Sequence, residues 1–177
     1  MQHRYQGRTF RVVANSQHRL TKRGSPGLYT TEQRRRRDAS GWTTVQGLLA
    51  PIQFLAFLVS LALIVRYLAT GEGLAAATVS IVIKTGLLYA IMITGAIWEK
   101  VVFERWLFAE AFFWEDVVSI LVLALHTAYL ACLLGGFLSS QEQMILALAA
   151  YASYTVNAGQ FLLKLRAARL SAPQPSA

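Results

Sequence analysis

The stretch that decides the fold is VQGLLAPIQFLAFLVSLALIVRYLA, residues 45–69, which carries a single charged residue, Arg66. A helix rises 1.5 Å per residue, so about 20 apolar residues cross the hydrocarbon core of a bilayer. Three further runs, at 75–98, 117–138 and 143–165, have the same character. In lipid only helices and closed barrels satisfy the backbone, and these runs are too continuously apolar for barrel strands. The sequence therefore predicts an all-α integral membrane protein.

Short connections predict how the four helices are arranged. TGEG at 70–73 joins the first two runs, and SSQEQ at 139–143 joins the last two. Connections this short force neighbouring helices to be antiparallel, so we expect an antiparallel bundle of four transmembrane helices. The link at 99–116 is longer and rich in aromatic residues, which favours an interfacial segment at headgroup depth between helices 2 and 3.

Positive charge predicts the orientation of the bundle. The chain has 177 residues and a formal net charge of +8. Most of its Lys and Arg residues fall in the segment 1–41, in the link 99–116 or near the C-terminal end, whereas Arg66 stands alone on the opposite side. Because basic loops stay on the cytoplasmic side, both termini and the link should face the cytoplasm.

The two ends of the chain are predicted to flank a membrane domain at 28–170. Residues 1–27 are basic and lack the short apolar core of a secretory signal peptide, so we interpret them as a disordered leader, and residues 171–177 as a disordered tail. Thr30 and Gln33 fit a capping box, which predicts a short interfacial helix at 31–39. Its four arginines suit anionic lipid headgroups, at about 1 kcal/mol per charge, better than nucleic acid.

Each predicted span carries polar residues that share one helical face, which indicates that the polar faces point into the bundle. Ser, Gln and Asn in such positions commonly bond helices together. A lysine at the depth of Lys84 costs roughly 3 kcal/mol on insertion scales, so that residue indicates a function. For His126 a structural and a functional role are equally open. The four sets are Gln46, Gln53, Ser60 and Tyr67; Thr78, Lys84 and Thr85; Glu115, Ser119, His126 and Tyr129; and Ser153, Asn157, Gln160 and Lys164.

Three carboxyl groups are predicted to rim a cavity that opens at the cytoplasmic interface. Glu99 ends the second span, and Glu115 and Asp116 begin the third. A helix N-terminus stabilises a carboxylate, whereas desolvation against aromatic rings at a helix C-terminus favours the protonated form of Glu99. Two such environments allow one site to hold both an acid and a base. The alternative is that all three are solvated helix ends.

Long blocks of the sequence resemble a known family. They are LYTTEQRRRRDASGWTTVQGLLAPIQF at 28–54, TGAIWEKVVFERWLFAEAFFWEDV at 94–117, LALHTAYL at 123–130 and NAGQFLLKLRAARL at 157–170. These blocks resemble the 3-vinyl hydratases of bacteriochlorophyll synthesis, also called 2-vinyl bacteriochlorophyllide or chlorophyllide a hydratases. The resemblance runs from about Leu28 to Leu170.

The resemblance implies that water adds across the C3-vinyl group of chlorophyllide a, giving the 3-(1-hydroxyethyl) product without any added cofactor. It implies a location in the cytoplasmic or intracytoplasmic photosynthetic membrane of phototrophic bacteria. Handing on an insoluble intermediate also favours a complex with neighbouring enzymes of the pathway.

The implied reaction needs an acid, a base, a positioned water and a large apolar pocket. We expect Glu99 to be the acid, and Glu115 or Asp116 to deprotonate the water. His126 lies 11 residues, roughly 16 Å, from Glu115 along the helix, so it suits contact with the macrocycle or ligation of the substrate's Mg. The remaining residues expected to bind substrate are Lys84, which could instead pair with a carboxylate of the bundle, and Trp98, Trp114, Asn157 and Gln160.

Three other functions fit parts of the pattern. A non-enzymatic tetrapyrrole carrier or assembly protein would use the same aromatic residues and His126, and turnover by purified protein distinguishes it from an enzyme. A haem-based electron carrier is disfavoured because one intramembrane histidine cannot supply two axial ligands. A small transporter is disfavoured because the spans show no internal repeat.

Overall fold

The computed structural model describes residues 28–170, with side chains described up to residue 167. The predicted leader 1–27 and tail 171–177 lie outside this range. The described part is all-helical, as predicted, and three of its helices (α2, α3 and α4) are long and apolar enough to cross a membrane. The helices are α1, Thr31–Ala39; α2, Gly41–Thr70; α3, Leu74–Phe103; α4, Phe113–Gly135; and α5, Ser140–Leu170.

The predicted fourth span lies within α5. This helix is 31 residues long, which is ample for a crossing. Its polar series, Ser153, Asn157, Gln160 and Lys164, keeps it from being as apolar as α2, α3 and α4. Within residues 28–170, length and composition therefore support three membrane-spanning helices. They do not confirm the predicted fourth span in α5.

Caps define where α1 and α2 begin. The backbone N–H of Gln33 donates to Thr30 Oγ1 at 3.2 Å, and the Thr30 N–H donates to Gln33 Oε1 at 2.9 Å. The predicted capping box and the helix at 31–39 are confirmed. Ser40 stops α1 and then caps α2, accepting from the N–H of Trp42 at 3.2 Å.

The helix ends at the two sides of the α3–α4 connection differ from the prediction. α3 continues to Phe103 and α4 already begins at Phe113, so the connecting loop covers only 104–112 instead of 99–116. At its other end α4 stops at Gly135 and not at 138. Gly136 adopts φ +64°, a conformation that glycine tolerates, and the N–H groups of Gly136 and Phe137 both donate to the carbonyl of Cys132.

Two antiparallel hairpins, α2–α3 and α4–α5, pack together to form the bundle. Register is fixed by side-chain contacts. Gln46 Nε2 donates to Thr94 Oγ1 at 2.7 Å, and Ser60 Oγ lies 2.8 Å from Ser80 Oγ, so α2 and α3 run in opposite directions. The predicted inward orientation of the polar faces is confirmed for most members, since the buried polar residues include Gln53, Ser60, Lys84, Thr85, Ser119, His126 and Asn157.

The outer surface of the bundle is apolar. Side chains such as Leu55, Ile83, Leu121 and Leu163 are more than half exposed. Apolar residues outside and polar residues inside are the arrangement expected of helices solvated by lipid, because lipid tails do not penalise exposed leucine.

Helix α1 is docked onto the end of α3. Arg36 Nη1 lies 2.6 Å from Glu104 Oε1, and the Tyr29 ring stacks on Phe103 with centroids 5.8 Å apart. On α1 itself, hydrogen bonds from Arg35 and Arg36 hold the pKa of Glu32 below its ordinary value. The basic helix therefore covers the same end of the bundle at which the loop 104–112 lies.

Candidate active site

A pair of carboxyl groups lies beneath the loop 104–112. Glu99, in the penultimate turn of α3, and Asp116, in the first turn of α4, lie side by side, since N–H groups of two consecutive loop residues donate to them. Both are at least 95% buried. Two adjoining carboxyl groups in a buried site are unfavourable when both are ionised. The structure therefore brings together the predicted acid and one predicted base.

The loop holds each member of this pair with a backbone donor. The N–H of Phe108 donates to Asp116 Oδ2 at 2.7 Å, and the N–H of Ala109 donates to Glu99 Oε2 at 3.2 Å. Phe108 has φ +58°, a left-handed conformation that a bulky residue seldom adopts. Such backbone strain is maintained only where the surroundings require it, and here it accompanies the donation to Asp116.

Glu115, the third predicted carboxylate, is paired with a lysine. Lys164 of α5 forms a salt bridge with Glu115 Oε2 at 2.5 Å. The same ammonium group donates to the carbonyl of Ala111 and lies 5.1 Å from the centre of the Phe112 ring. Glu115 is therefore neutralised across the α4–α5 hairpin, whereas its neighbour Asp116 adjoins Glu99.

Asn157 and Gln160 lie one to two turns from Lys164 on α5, deeper in the bundle than the carboxyl groups. Asn157 Nδ2 donates to Ser119 Oγ at 2.8 Å, and Ser119 is one turn beyond Glu115 on α4. The amide oxygens Asn157 Oδ1 and Gln160 Oε1 are buried and have no hydrogen-bond partner among the described residues. These predicted binding residues thus present free acceptors to the interior.

Lys84 and His126 form a second polar centre in the middle of the bundle. Both are fully buried, and Lys84 Nζ lies 2.8 Å from His126 Nε2. His126 Nδ1 lies 2.7 Å from the carbonyl of Val122, which only a protonated Nδ1 can satisfy, so Nε2 is the acceptor for the lysine. Lys84 Nζ also lies 4.1 Å from the centre of the Tyr154 ring, where cation–π attraction favours it.

This centre connects the two hairpins. His126 stacks on Tyr151 with centroids 5.7 Å apart, and the Tyr151 hydroxyl donates to Ser60 Oγ at 2.6 Å. Lys84 therefore pairs with His126, and the alternative of a bundle carboxylate is wrong in this structure. Both ring nitrogens of His126 are engaged, so ligation of a substrate's Mg requires Lys84 to move away from Nε2.

The carboxyl pair and the Lys84–His126 centre are separate. Asp116 and His126 are ten residues apart on α4, about 15 Å along the helix axis. Within the described part of the chain, no group of three or more His, Cys, Asp or Glu side chains could hold a metal ion.

The predicted aromatic residues occupy different environments. Trp98 is half-buried, its Nε1–H donates to Thr43 Oγ1 at 3.0 Å, and its ring packs edge-on against Phe103 and Phe112. Trp114 lies on the outside and is 68% exposed. The structure thus places Trp98 beside the carboxyl pair's loop and Trp114 toward the surroundings of the bundle.

Some features of the site were not predicted from the sequence. The role of Lys164 as partner of Glu115 was missed, although its place on the polar face of α5 was recognised. The N–H donors of Phe108 and Ala109 leave no trace in the identities of those residues, because any residue other than proline can supply them.

Comparison with known proteins identifies the family of this chain. The sequence profile of the family described as 2-vinyl bacteriochlorophyllide hydratase matches residues 29–167. A 2-vinyl bacteriochlorophyllide hydratase of Rhodobacter capsulatus is 66% identical over 150 residues, covering 85% of this chain and 87% of the relative. One of Cereibacter sphaeroides is 68% identical over 143 residues, covering 81% of this chain and 89% of the relative. No solved structure shows significant similarity.

The profile covers α1 to α4 in full and α5 to residue 167, and identity at this level over most of both chains shows the same reaction class. Adding or removing water requires an acid and a base, and two adjoining carboxyl groups are able to supply both. The chain therefore belongs to the 2-vinyl bacteriochlorophyllide hydratase family and is a hydratase, a member of the hydro-lyases.

Proposed function

We propose that this chain adds water across the C3-vinyl group of chlorophyllide a to give the 3-(1-hydroxyethyl) product in bacteriochlorophyll biosynthesis. The relatives named above are hydratases of a vinyl tetrapyrrole, which supports the substrate class. The observation that carries the mechanism is the burial of Glu99 and Asp116 side by side beneath the loop 104–112, because two adjoining buried carboxyl groups favour a state in which they share one proton.

The carboxyl pair begins and ends the reaction with one proton. Glu99 transfers that proton to the terminal CH₂ of the vinyl group, which breaks the π bond and leaves a cation on the inner carbon, delocalised into the macrocycle. Water attacks that carbon to form the C–O bond, and its proton passes to Asp116. The proton added to carbon has come from the site, the proton lost by water restores it, and no electrons are transferred.

Asp116 suits the base role better than Glu115. The ion pair with Lys164 already compensates the charge of Glu115, and that pairing would oppose uptake of a proton. Glu115 and Lys164 instead fix α5 against the first turn of α4, so that the amide groups of α5 lie beneath the carboxyl pair.

The pigment would approach the site from the membrane interface. Exposed aromatic residues at this end of the bundle, Trp106, Phe108, Phe113 and Trp114, offer an apolar surface for a flat macrocycle. The four arginines of α1 would hold this end against anionic headgroups. Trp98 and Trp114 as stacking partners, and Lys84 and His126 as pigment contacts, remain predictions of this proposal.

We also infer that α5 is a fourth span and that both termini face the cytoplasm of a photosynthetic bacterium's membrane. α5 is polar because its inward face supplies Tyr151, Asn157 and Lys164 to the interior, while Leu162 and Leu163 face outward. Single cysteines at Glu72, Gln141 and Arg166, placed in Cys132→Ser protein, test this. The first two should react with an impermeant maleimide from the outer side and the third from the cytoplasmic side. Reaction of Gln141→Cys and Arg166→Cys from one side would refute the fourth crossing.

Turnover with isotopically labelled water tests the reaction. Purified protein in lipid nanodiscs would be incubated with chlorophyllide a in H₂¹⁸O, and the pigment followed by absorbance and mass spectrometry. Hydration should move the red absorption band to shorter wavelength and incorporate one labelled oxygen. Pigment that binds but stays unchanged would indicate the carrier function instead.

A further inference from the structure

The interior of the bundle contains a side-chain amide, Gln53, that the reaction scheme above does not use. Gln53 lies in α2, is 2% exposed, and has neither a donor for Oε1 nor an acceptor for Nε2 among the described residues. A buried polar group without a partner loses its hydrogen bonds to water without compensation, and Gln53 has two such atoms. Native proteins rarely accept this unless a ligand or an ordered water completes the site.

The register of α2 against α5 places Gln53 beside the free amide oxygens of α5. Ser60 bonds to Tyr151, and one turn along, Phe57 packs on Tyr154 with centroids 5.0 Å apart. Because α2 and α5 run antiparallel, lower residue numbers on α2 face higher residue numbers on α5. The next turn therefore sets Gln53 at the level of Asn157. Gln53, Phe57 and Ser60 share a buried face of α2, which satisfies the helical spacing.

The orientation of Asn157 is fixed by its own hydrogen bond. Its Nδ2 donates to Ser119 Oγ, which leaves Oδ1 as the unpaired atom. Among the amide groups of the described residues, the unpaired buried atoms are therefore three oxygens, on Gln53, Asn157 and Gln160, and the Gln53 nitrogen. A water donates two hydrogen bonds and accepts up to two, so one molecule would satisfy the Gln53 N–H group and two of the three amide oxygens.

The amide site lies directly below the carboxyl pair. Ser119, which holds Asn157, is three residues beyond Asp116, and Gln160 is four residues before Lys164. Asn157, which lies at the level of Gln53, is seven residues before Lys164, so the amide site extends from one to two helical turns, about 6–10 Å, from the level of Lys164. A water held by these amides therefore has one to two helical turns to travel to a cation formed beside the carboxyl pair.

We propose that Gln53, with Asn157 and Gln160, forms a water-binding site that supplies the reacting water to the carboxyl pair. This inference rests on the proposed hydration, and it adds a binding residue on a helix that contributes nothing else to the reaction. Two of the amide oxygens accept from the O–H groups of the water, and the Gln53 N–H group donates to one of its lone pairs, which leaves the other lone pair free.

A first experiment detects the water without any turnover. Protein labelled with ¹⁵N-glutamine would be studied by NMR in micelles, and the Gln53 side-chain amide signal identified by its loss in Gln53→Met. A cross-peak between this amide and water, in a site that is 2% exposed, is the expected result. Absence of any water contact at the Gln53 amide would overturn the proposal.

A second experiment measures turnover, pigment affinity and stability in Gln53→Met. This change removes the amide at nearly constant volume. We expect kcat to fall by about 10- to 100-fold, since misplacing a reactant by 1 Å can cost about 100-fold. The Kd for chlorophyllide a should change less than about threefold and the melting temperature should not fall, because Met leaves no buried polar atom unpaired.

Gln46→Met is the matched control. Gln46 lies seven residues earlier on the same face of α2, but it is bonded to Thr94 and to the carbonyl of Ile91. This variant should lose stability and keep kcat. If Gln53→Met instead keeps kcat, or weakens pigment binding while keeping kcat, the water-supply role is refuted. If wild-type protein shows the amide–water contact but never hydrates the pigment, the proposed function fails and a water site without a reaction remains.

Discussion

Replacing Glu99 by Gln tests the proton donor of the proposed reaction directly. The side chain keeps its length, and its amide oxygen can still accept from the Ala109 N–H. In the unchanged protein this N–H donates to Glu99 Oε2 at 3.2 Å. The amide N–H can donate to Asp116, so the loop 104–112 should stay in place. The variant therefore loses the transferable proton and little else.

The expected size of the effect follows from what a positioned acid contributes. General acid catalysis accounts for about 10²- to 10⁴-fold in rate, which corresponds to about 2.7–5.5 kcal/mol of transition-state stabilisation at 1.36 kcal/mol per tenfold. In this variant residue 99 is an amide, so Asp116 no longer has a neighbouring carboxyl group with which to share a proton. We expect kcat to fall by about 10²- to 10⁴-fold, while the Kd for chlorophyllide a stays nearly unchanged.

The assay is single-turnover conversion of chlorophyllide a in nanodiscs, followed by the shift of its red absorption band. Glu99→Asp should lose less activity, because it retains an acid but withdraws it by one methylene. Glu110→Gln is the control, since Glu110 is an exposed carboxyl group of the same loop. If folded Glu99→Gln converts pigment within about threefold of the wild-type rate, Glu99 is not the acid and the shared proton is a structural feature.

Three further substitutions probe the groups around the carboxyl pair. Lys164→Met leaves the buried Glu115 carboxylate without its partner and should lower the free energy of unfolding by about 1–3 kcal/mol. The loss is smaller than for a fully buried ion pair because Lys164 is partly exposed. Adding Glu115→Gln to this variant should restore most of the lost stability. Lys84→Met leaves His126 Nε2 without a donor, so thermal unfolding should show a loss of about 1–3 kcal/mol, and a second change of His126 to Leu should add little to that loss. Trp98→Phe keeps an aromatic ring but removes the indole N–H donor to α2. The free energy of unfolding from chemical denaturation should fall by about 1 kcal/mol, while the Kd for pigment should stay within about threefold of the wild-type value.

Two predicted features of the chain could be read from residue types alone. An uninterrupted apolar run such as 45–69 must be helical in lipid, because no other open structure satisfies its backbone. The capping box of Thr30 and Gln33 is equally local, since both partners lie within one turn, and the structure confirms it. The deep polar residues Lys84 and His126 were identified for the same reason, as their cost in an apolar run does not depend on the neighbours.

Pairings between helices could not be predicted in this way. The carboxyl groups near 99 and 115 were recognised as a set, yet the sequence left open which would adjoin Glu99. The structure selects Asp116 and assigns Glu115 to Lys164, which is 49 residues away. These choices depend on how α3, α4 and α5 rotate about their axes, and rotation is set by packing along the whole of each helix.

The sequence by itself therefore determined that the long helices are surrounded by lipid, and it determined the secondary structure. Both follow from the sum of local preferences over twenty or more residues. Only the tertiary structure decided that Glu99 adjoins Asp116, that Lys84 bonds to His126, and that the Gln53 amide has no partner among the described residues. Each of these depends on the distance between atoms on different helices, and a change of an ångström or a few degrees of helix rotation would alter it without changing any hydrophobic run.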